Sequence, residues 1–138
     1  HLLHKALRDT LGDHVSQQGS NINPKRLRFD FSHGQKMTKE QIKKVEDIVN
    51  KKINEALPVK SVEMNFKDAE KTGALHFFKE KYGNNVNIYY IGNSLKNAYS
   101  KEFCGGPHAK NTKDLGNFKI IKEESVAKGI RRIKATLS

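Results

Sequence analysis

Residues 38–57 constrain the fold of this 138-residue chain more than any other stretch. Thr38, followed three residues later by Gln41, makes a capping box, and Ile42, Val45, Ile48, Val49, Ile53 and Ala56 recur as one apolar stripe before Pro58. The spacing predicts a long amphipathic helix with Lys39, Lys43, Lys44, Lys51 and Lys52 on a solvated face. Around it the pattern changes. Leu27, Phe29 and Phe31 alternate with Arg28 and Asp30 as in a half-buried strand, and a second extended stretch is expected around Val15. Residues 59–66 alternate loosely, while VNIYYIG (86–92), FKIIKEE (118–124) and IRRIKATL (130–137) are rich in β-branched or aromatic residues. Residues 68–82 read as two short helical pieces interrupted near Thr72 and Gly73, with Leu75, Phe77 and Phe78 as core candidates and Gly83 as the stop. Helices and strands mix without a regular βαβ cadence. This predicts a single α+β domain, residues 1–138, with an antiparallel or mixed sheet packed against helices.

No apolar run approaches the length of a bilayer span and nothing resembles a signal peptide, so no membrane partner is expected. A lone cysteine excludes an internal disulfide, leaves Cys104 available as a thiolate and points to a reducing cytoplasm. The 26 Lys+Arg against 15 Asp+Glu give a formal charge of +11. Such a balance suits a polyanionic partner, most often nucleic acid, although on composition alone a lysine-rich solvated surface explains it equally well. No aromatic octamer of the RRM kind is present, so any RNA contact would be to shape and phosphate.

The segment KEFCGGPHAKNTKDLG (101–116) raises a metal question. A thiolate and an imidazole can fill two corners of a zinc tetrahedron, and Gly105, Gly106 and Pro107 between Cys104 and His108 argue for a tight loop rather than a helix. Further ligands must come from His1, His4, His14, His33 or His76. His33 lies in a polar turn and His76 among apolar residues, whereas His1 and His4, three residues apart, share one helix face and lead on spacing. That helix is HLLHKALRDTLG, where Leu3, Leu7 and Leu11 recur and Gly12 is the stop. No capping residue precedes His1, which predicts a helix entered part-way and a chain that begins inside a larger protein.

HLLHKALRDTLGDHVSQQGS, RLRFDFSH, EKYG, CGGPHAKNTKDLG and GIRRIKA, in that order, resemble the editing domain of alanyl-tRNA synthetase, over nearly the whole chain. The resemblance implies a zinc site between the opening helix and the cysteine loop, with His1, Cys104 and His108 as ligands. The family's further histidine would lie four residues before His1, and His4 is not a ligand. The open position would take water, substrate or that histidine, and metal affinity would be weakened without it. The threonyl-type editing domain and free-standing hydrolases of mischarged alanine tRNA share the metal motifs; RLRFDFSH and GIRRIKA tip the choice to the alanyl enzyme. The family loop often reads Cys-Gly-Gly-Thr-His, so Pro107 here removes a hydroxyl and an N–H.

By the same resemblance the activity would be hydrolysis of serine or glycine from the 3′-terminal ribose of alanine tRNA, as an aminoacyl-tRNA hydrolase working beside the rest of a synthetase chain. Gln17 would line the pocket and Ser20 orient substrate, with Asp30 or His33 as acceptors behind a ligand imidazole. Arg131, Arg132, Lys134, Lys110 and Lys113 would receive the tRNA. Neighbours on a strand face opposite ways, so at most one of Arg131 and Arg132 can face the RNA. A catalytically inert tRNA-binding fragment is the rival reading, and a threonyl-type domain a third.

Overall fold

In the computed structural model, which describes residues 1–76, 84–106 and 108–138, two antiparallel sheets are joined by helices into one α+β domain. The order is α1 (Leu2–Leu11), β1 (Gln17–Ile22), β2 (Arg26–Ser32), α2 (Lys39–Asn54), β3 (Val59–Asn65), α3 (Phe66–Lys71), β4 (Asn85–Ile91), β5 (Ser100–Phe103), a 3-10 turn (Thr112–Leu115), β6 (Phe118–Ala127) and β7 (Ile130–Leu137). One sheet runs β1-β2-β7-β6 and the other β3-β4-β5. The expectations for Phe77, Phe78, Gly83, the EKYG stretch and Pro107 lie outside the described residues.

The capping box forms as its residues require. Thr38 Oγ1 accepts from the Gln41 N–H at 3.1 Å, and Gln41 Oε1 accepts from the Thr38 N–H at 2.9 Å. Val45, Val49 and Ile53 are buried against the larger core, while Ala56 falls beyond the helix with a positive φ of 53°. Thr38→Ala is expected to lower stability by about 1 kcal/mol, read as a lower urea midpoint with an unchanged slope.

Helix α1 ends at Gly12, whose φ of 126° a side chain would resist. Its Leu2, Leu3, Ala6 and Leu7 join Phe29 and Phe31 of β2, Ile133 and Ala135 of β7 and the α2 residues in one core. A second cluster, Ala69, Ala74, Val86, Ile88 and Phe103, fills the other sheet. Two expectations shift. The extended stretch expected around Val15 begins after it, with Gln17, Gly19 and Ser20 paired to β2 through a bulge. The helical expectation for residues 68–82 is met by α3 alone among the described residues; it starts earlier, on an Asn65 cap, and after Gly73 the chain turns so that Leu75 bridges Glu102.

Both arginines of GIRRIKA are engaged within the sheet. Arg131 grips Glu123 through Nε and Nη2 at 2.6 and 2.7 Å, and Arg132 grips Asp30 at 2.8 and 3.1 Å. These bidentate pairs tie β7 to β6 and to β2.

Candidate metal centre

The first residue of the chain, the end of β5 and the loop after it converge. His1 caps α1, Glu102 lies on β5, and Cys104 and His108 follow it. One donor atom each from His1, Cys104 and His108 lies within 4.8 Å of the others, and this is the one group of three or more such donors among the described residues. His1 Nε2 and His108 Nε2 face each other at 2.6 Å.

Glu102, 5% exposed, organises this corner. Its Oε1 accepts from His1 Nδ1 at 2.7 Å and its Oε2 from His4 Nδ1 at 2.9 Å. With Nδ1 spent on the carboxylate, His1 presents Nε2 toward His108, the arrangement that fixes tautomer and ring direction behind a metal ligand. His4, 1% exposed, therefore serves Glu102. The Tyr89 ring stacks on the face of His108 at 3.6 Å between centroids, while His1 meets the edge of His108 nitrogen to nitrogen.

The electrostatics follow from these contacts. Hydrogen bonds from His1 and His108 bring the Cys104 thiol down to about 5, against opposing burial. Burial alone would lower His1; the Cys104 sulfur and the Glu102 carboxylate outweigh it and hold its pKa at about 10. Burial pushes Glu102 up, but hydrogen bonds from His1 and His4 keep it below the usual carboxylate range. Two ring nitrogens at 2.6 Å need a proton or a cation between them, and the buried His108 Nδ1 has no hydrogen-bond partner among the described residues. Two imidazoles and a thiolate so placed fit a borderline-soft divalent ion.

The group forms part of the wall of a cavity of about 530 Å³. Gln17 and Ser20 of β1 line the same cavity, as do Phe29, Ile53, Ile91 and Phe118. Gln17 Nε2 donates to Ser20 Oγ at 3.0 Å, which leaves the hydroxyl proton as a donor. Lys110 and Lys113 are exposed beside the cysteine loop, and Lys134 is exposed on β7 at 3.7 Å from Glu124. Asp30 and His33 do not stand behind the metal group: Asp30 holds Arg132, and His33 meets His14. Sequence reasoning missed Glu102, although its position two residues before Cys104 on an extended stretch puts both on one face.

Residues 86–134 match the family model described as threonyl and alanyl tRNA synthetase second additional domain. The chain is 56% identical to the alanine–tRNA ligase of Borrelia garinii subsp. bavariensis over 137 residues, 99% of its own length. It belongs to the family of threonyl and alanyl tRNA synthetase second additional domains. This second additional domain is also 52% identical to the alanine–tRNA ligase of Treponema denticola and 49% identical to that of Pediococcus pentosaceus, over 99% and 100% of its length. It spans 22%, 22% and 15% of those three relatives. All three are alanine–tRNA ligases, which favours the alanyl side of the family. No helix among the described residues is long and apolar enough to cross a membrane.

Proposed function

We propose that this chain hydrolyses the ester joining serine or glycine to the 3′-terminal ribose of alanine tRNA, at a zinc ion held by His1, Cys104 and His108, as the editing unit of a longer cytoplasmic synthetase. The observation that carries the reading is the His1, Cys104 and His108 group in the wall of a cavity that Gln17 and Ser20 also line. A synthetase pocket that admits a methyl group rejects glycine or serine by only about 10² in one step, so a second, hydrolytic site is needed.

In the reaction a water oxygen attacks the ester carbonyl carbon, the carbon–oxygen bond to the ribose breaks, and the ribose oxygen takes a proton. Bound zinc would supply Lewis-acid polarisation or a docking point for the substrate amine. Glu102 fixes the direction of His1, and Tyr89 that of His108. The Ser20 hydroxyl, with Gln17 behind it, offers a donor to the acyl group. Lys110 and Lys113 would neutralise phosphate near the acylated end, with Lys134 as a further contact on β7. Arg131 and Arg132 would support this surface through their carboxylate pairs rather than by gripping phosphate themselves.

The test is deacylation of serine-, glycine- and alanine-charged alanine tRNA by zinc-loaded protein. Release of serine and glycine with alanine spared is expected; no release above the uncatalysed rate from any of the three would sink the reading.

Metal binding should also release protons in a defined way. At pH 7 Cys104 is a thiolate and His1 an imidazolium, so zinc must displace the His1 proton, and affinity rises with pH until His1 loses that proton at about 10. Calorimetry in buffers of different ionisation enthalpy counts that proton. Glu102→Gln leaves one acceptor for two imidazole N–H groups and is expected to weaken zinc binding by about 10- to 100-fold, measured by chelator competition.

A further inference from the structure

Phe29, Phe31, Ile133 and Ala135 of the β1-β2-β7-β6 sheet face α1 and α2 in the core, so the residues between them on β2 and β7 point the other way. Across the strands these outward residues form rows. Asn21, Arg28, Lys134 and Lys122 pair in turn from β1 to β6, and in the next row Arg26, Thr136 and Lys119 do the same. The carboxylates of Asp30 and Glu124 stand in a third row, on either side of Arg132. Arg26, Arg28, Lys119, Lys122 and Lys134 thus occupy two adjoining rows that hold no acidic side chain.

A bulge in β6 completes this pattern. Pairing with β7 shifts by one residue between Ile120 and Lys122. Strict alternation from Lys119 would turn Ile121 and Glu123 outward; the extra residue instead brings Lys122 beside Lys134 and sends Glu123 inward to Arg131. Like charges set directly opposite on a sheet are destabilising, and Lys134 has a cation on each side. Glu124, 3.1 Å from Lys122 and 3.7 Å from Lys134, offsets part of that repulsion. Asp30 is spent on Arg132, and Arg28 Nε, 3.8 Å from Asp30, has no hydrogen-bond partner among the described residues. Arg26, Lys119, Lys122 and Lys134 are exposed.

We propose that this open side of the sheet is a docking surface for the phosphate backbone of structured RNA, the paired stem of the tRNA, held by charge and without regard to base sequence. The choice of RNA rests on the editing reading above; the cation rows do not. The outward strand positions carry no aromatic side chain, so bases have no platform to stack on and phosphate is the group that fits. The cavity lies on the other side of the same sheet, where Ser20, Leu27, Phe29 and Leu137 line it. Strand β1 is the edge between the two sides, and its Ile22, 70% exposed, also lines the cavity. A stem laid on the cation rows therefore brings its unpaired end to the cavity round β1.

The test measures binding of unacylated alanine tRNA, and of an RNA duplex of unrelated sequence, as a function of salt. That readout survives a loss of hydrolysis, so failure of the editing reading and failure of this proposal are distinguishable. Combining Arg28→Gln, Lys119→Gln and Lys122→Gln in the 138-residue chain is expected to lower both affinities about tenfold or more near 0.1 M salt. The slope of log K against log salt should flatten by about 2–3, with the thermal midpoint unchanged or raised because the cation row is relieved. Lys43→Gln, Lys44→Gln and Lys51→Gln together take the same charge from the exposed side of α2 and should change affinity by less than about threefold. Equal losses in the two triple variants would mean that net charge alone attracts RNA and would overturn the proposal. So would an unchanged RNA affinity in the first variant; if that variant instead loses binding to polyglutamate, the face belongs to an acidic protein partner.

Discussion

Cys104→Ala is expected to lower zinc affinity by about 10²- to 10³-fold and to remove deacylation at ordinary zinc concentrations. Structural zinc sites with four ligands are worth about 10–16 kcal/mol, so one ligand accounts for roughly 2.5–4 kcal/mol, which converts to that range. The thiolate has a further effect. It is one of the groups that hold His1 protonated in the absence of metal, so its removal also lowers the proton competition that zinc must overcome. The loss should therefore be smaller at pH 7 than near pH 10, where His1 is already giving up its proton. Chelator competition at pH 7 and near pH 10 measures both effects. An unchanged affinity would show that the sulfur is no ligand; a loss independent of pH would show that it does not set the His1 proton.

Leu7→Ala is expected to destabilise the fold by about 3–4 kcal/mol, the largest stability effect among the substitutions considered. Leu7 is fully buried, in a core that joins α1 to α2 and to β2 and β7. That loss is a large part of the total for a domain of this size, commonly about 5–15 kcal/mol. Leu7→Met, which conserves volume, should cost less than about 1.5 kcal/mol. Urea unfolding of the three proteins gives the comparison. Equal stability of the two variants would mean that the α1 face is not packed as described. Because α1 carries His1 at its start, the alanine variant should also bind metal less tightly, by way of a loosened helix rather than a lost ligand.

The legible parts of the fold were those whose apolar residues keep a regular period. Helix α2, with its capping box, and strands β2, β4, β6 and β7 all carry that signal. Strand β1 reads QQGSNI and carries none: it is an edge strand held by pairing to β2, and pairing partners are not written in the segment itself. Strand β5 was hidden differently. Its buried Ser100 and Glu102 break the apolar pattern, and Glu102 tolerates burial because two imidazoles donate to it. The same carboxylate explains why helix spacing alone put His4 beside His1. The two do share a face, but the shared partner is Glu102. Arg131 and Arg132 were legible as charges, whereas their carboxylates lie on neighbouring strands and only the sheet register brings them together.

The distance along the chain between His1 and His108 has a consequence for synthesis. At about 5–20 residues per second, a ribosome that has just made His1 needs about 5–20 s more to reach His108, and further time to clear it from the exit tunnel. Through that interval the apolar face of α1, Leu3 and Leu7 included, lacks the closing strand β7 to lie against. In that time α1 can already lie against β2 and α2, so the helix that carries His1 has a partial seat ready when the last ligand emerges.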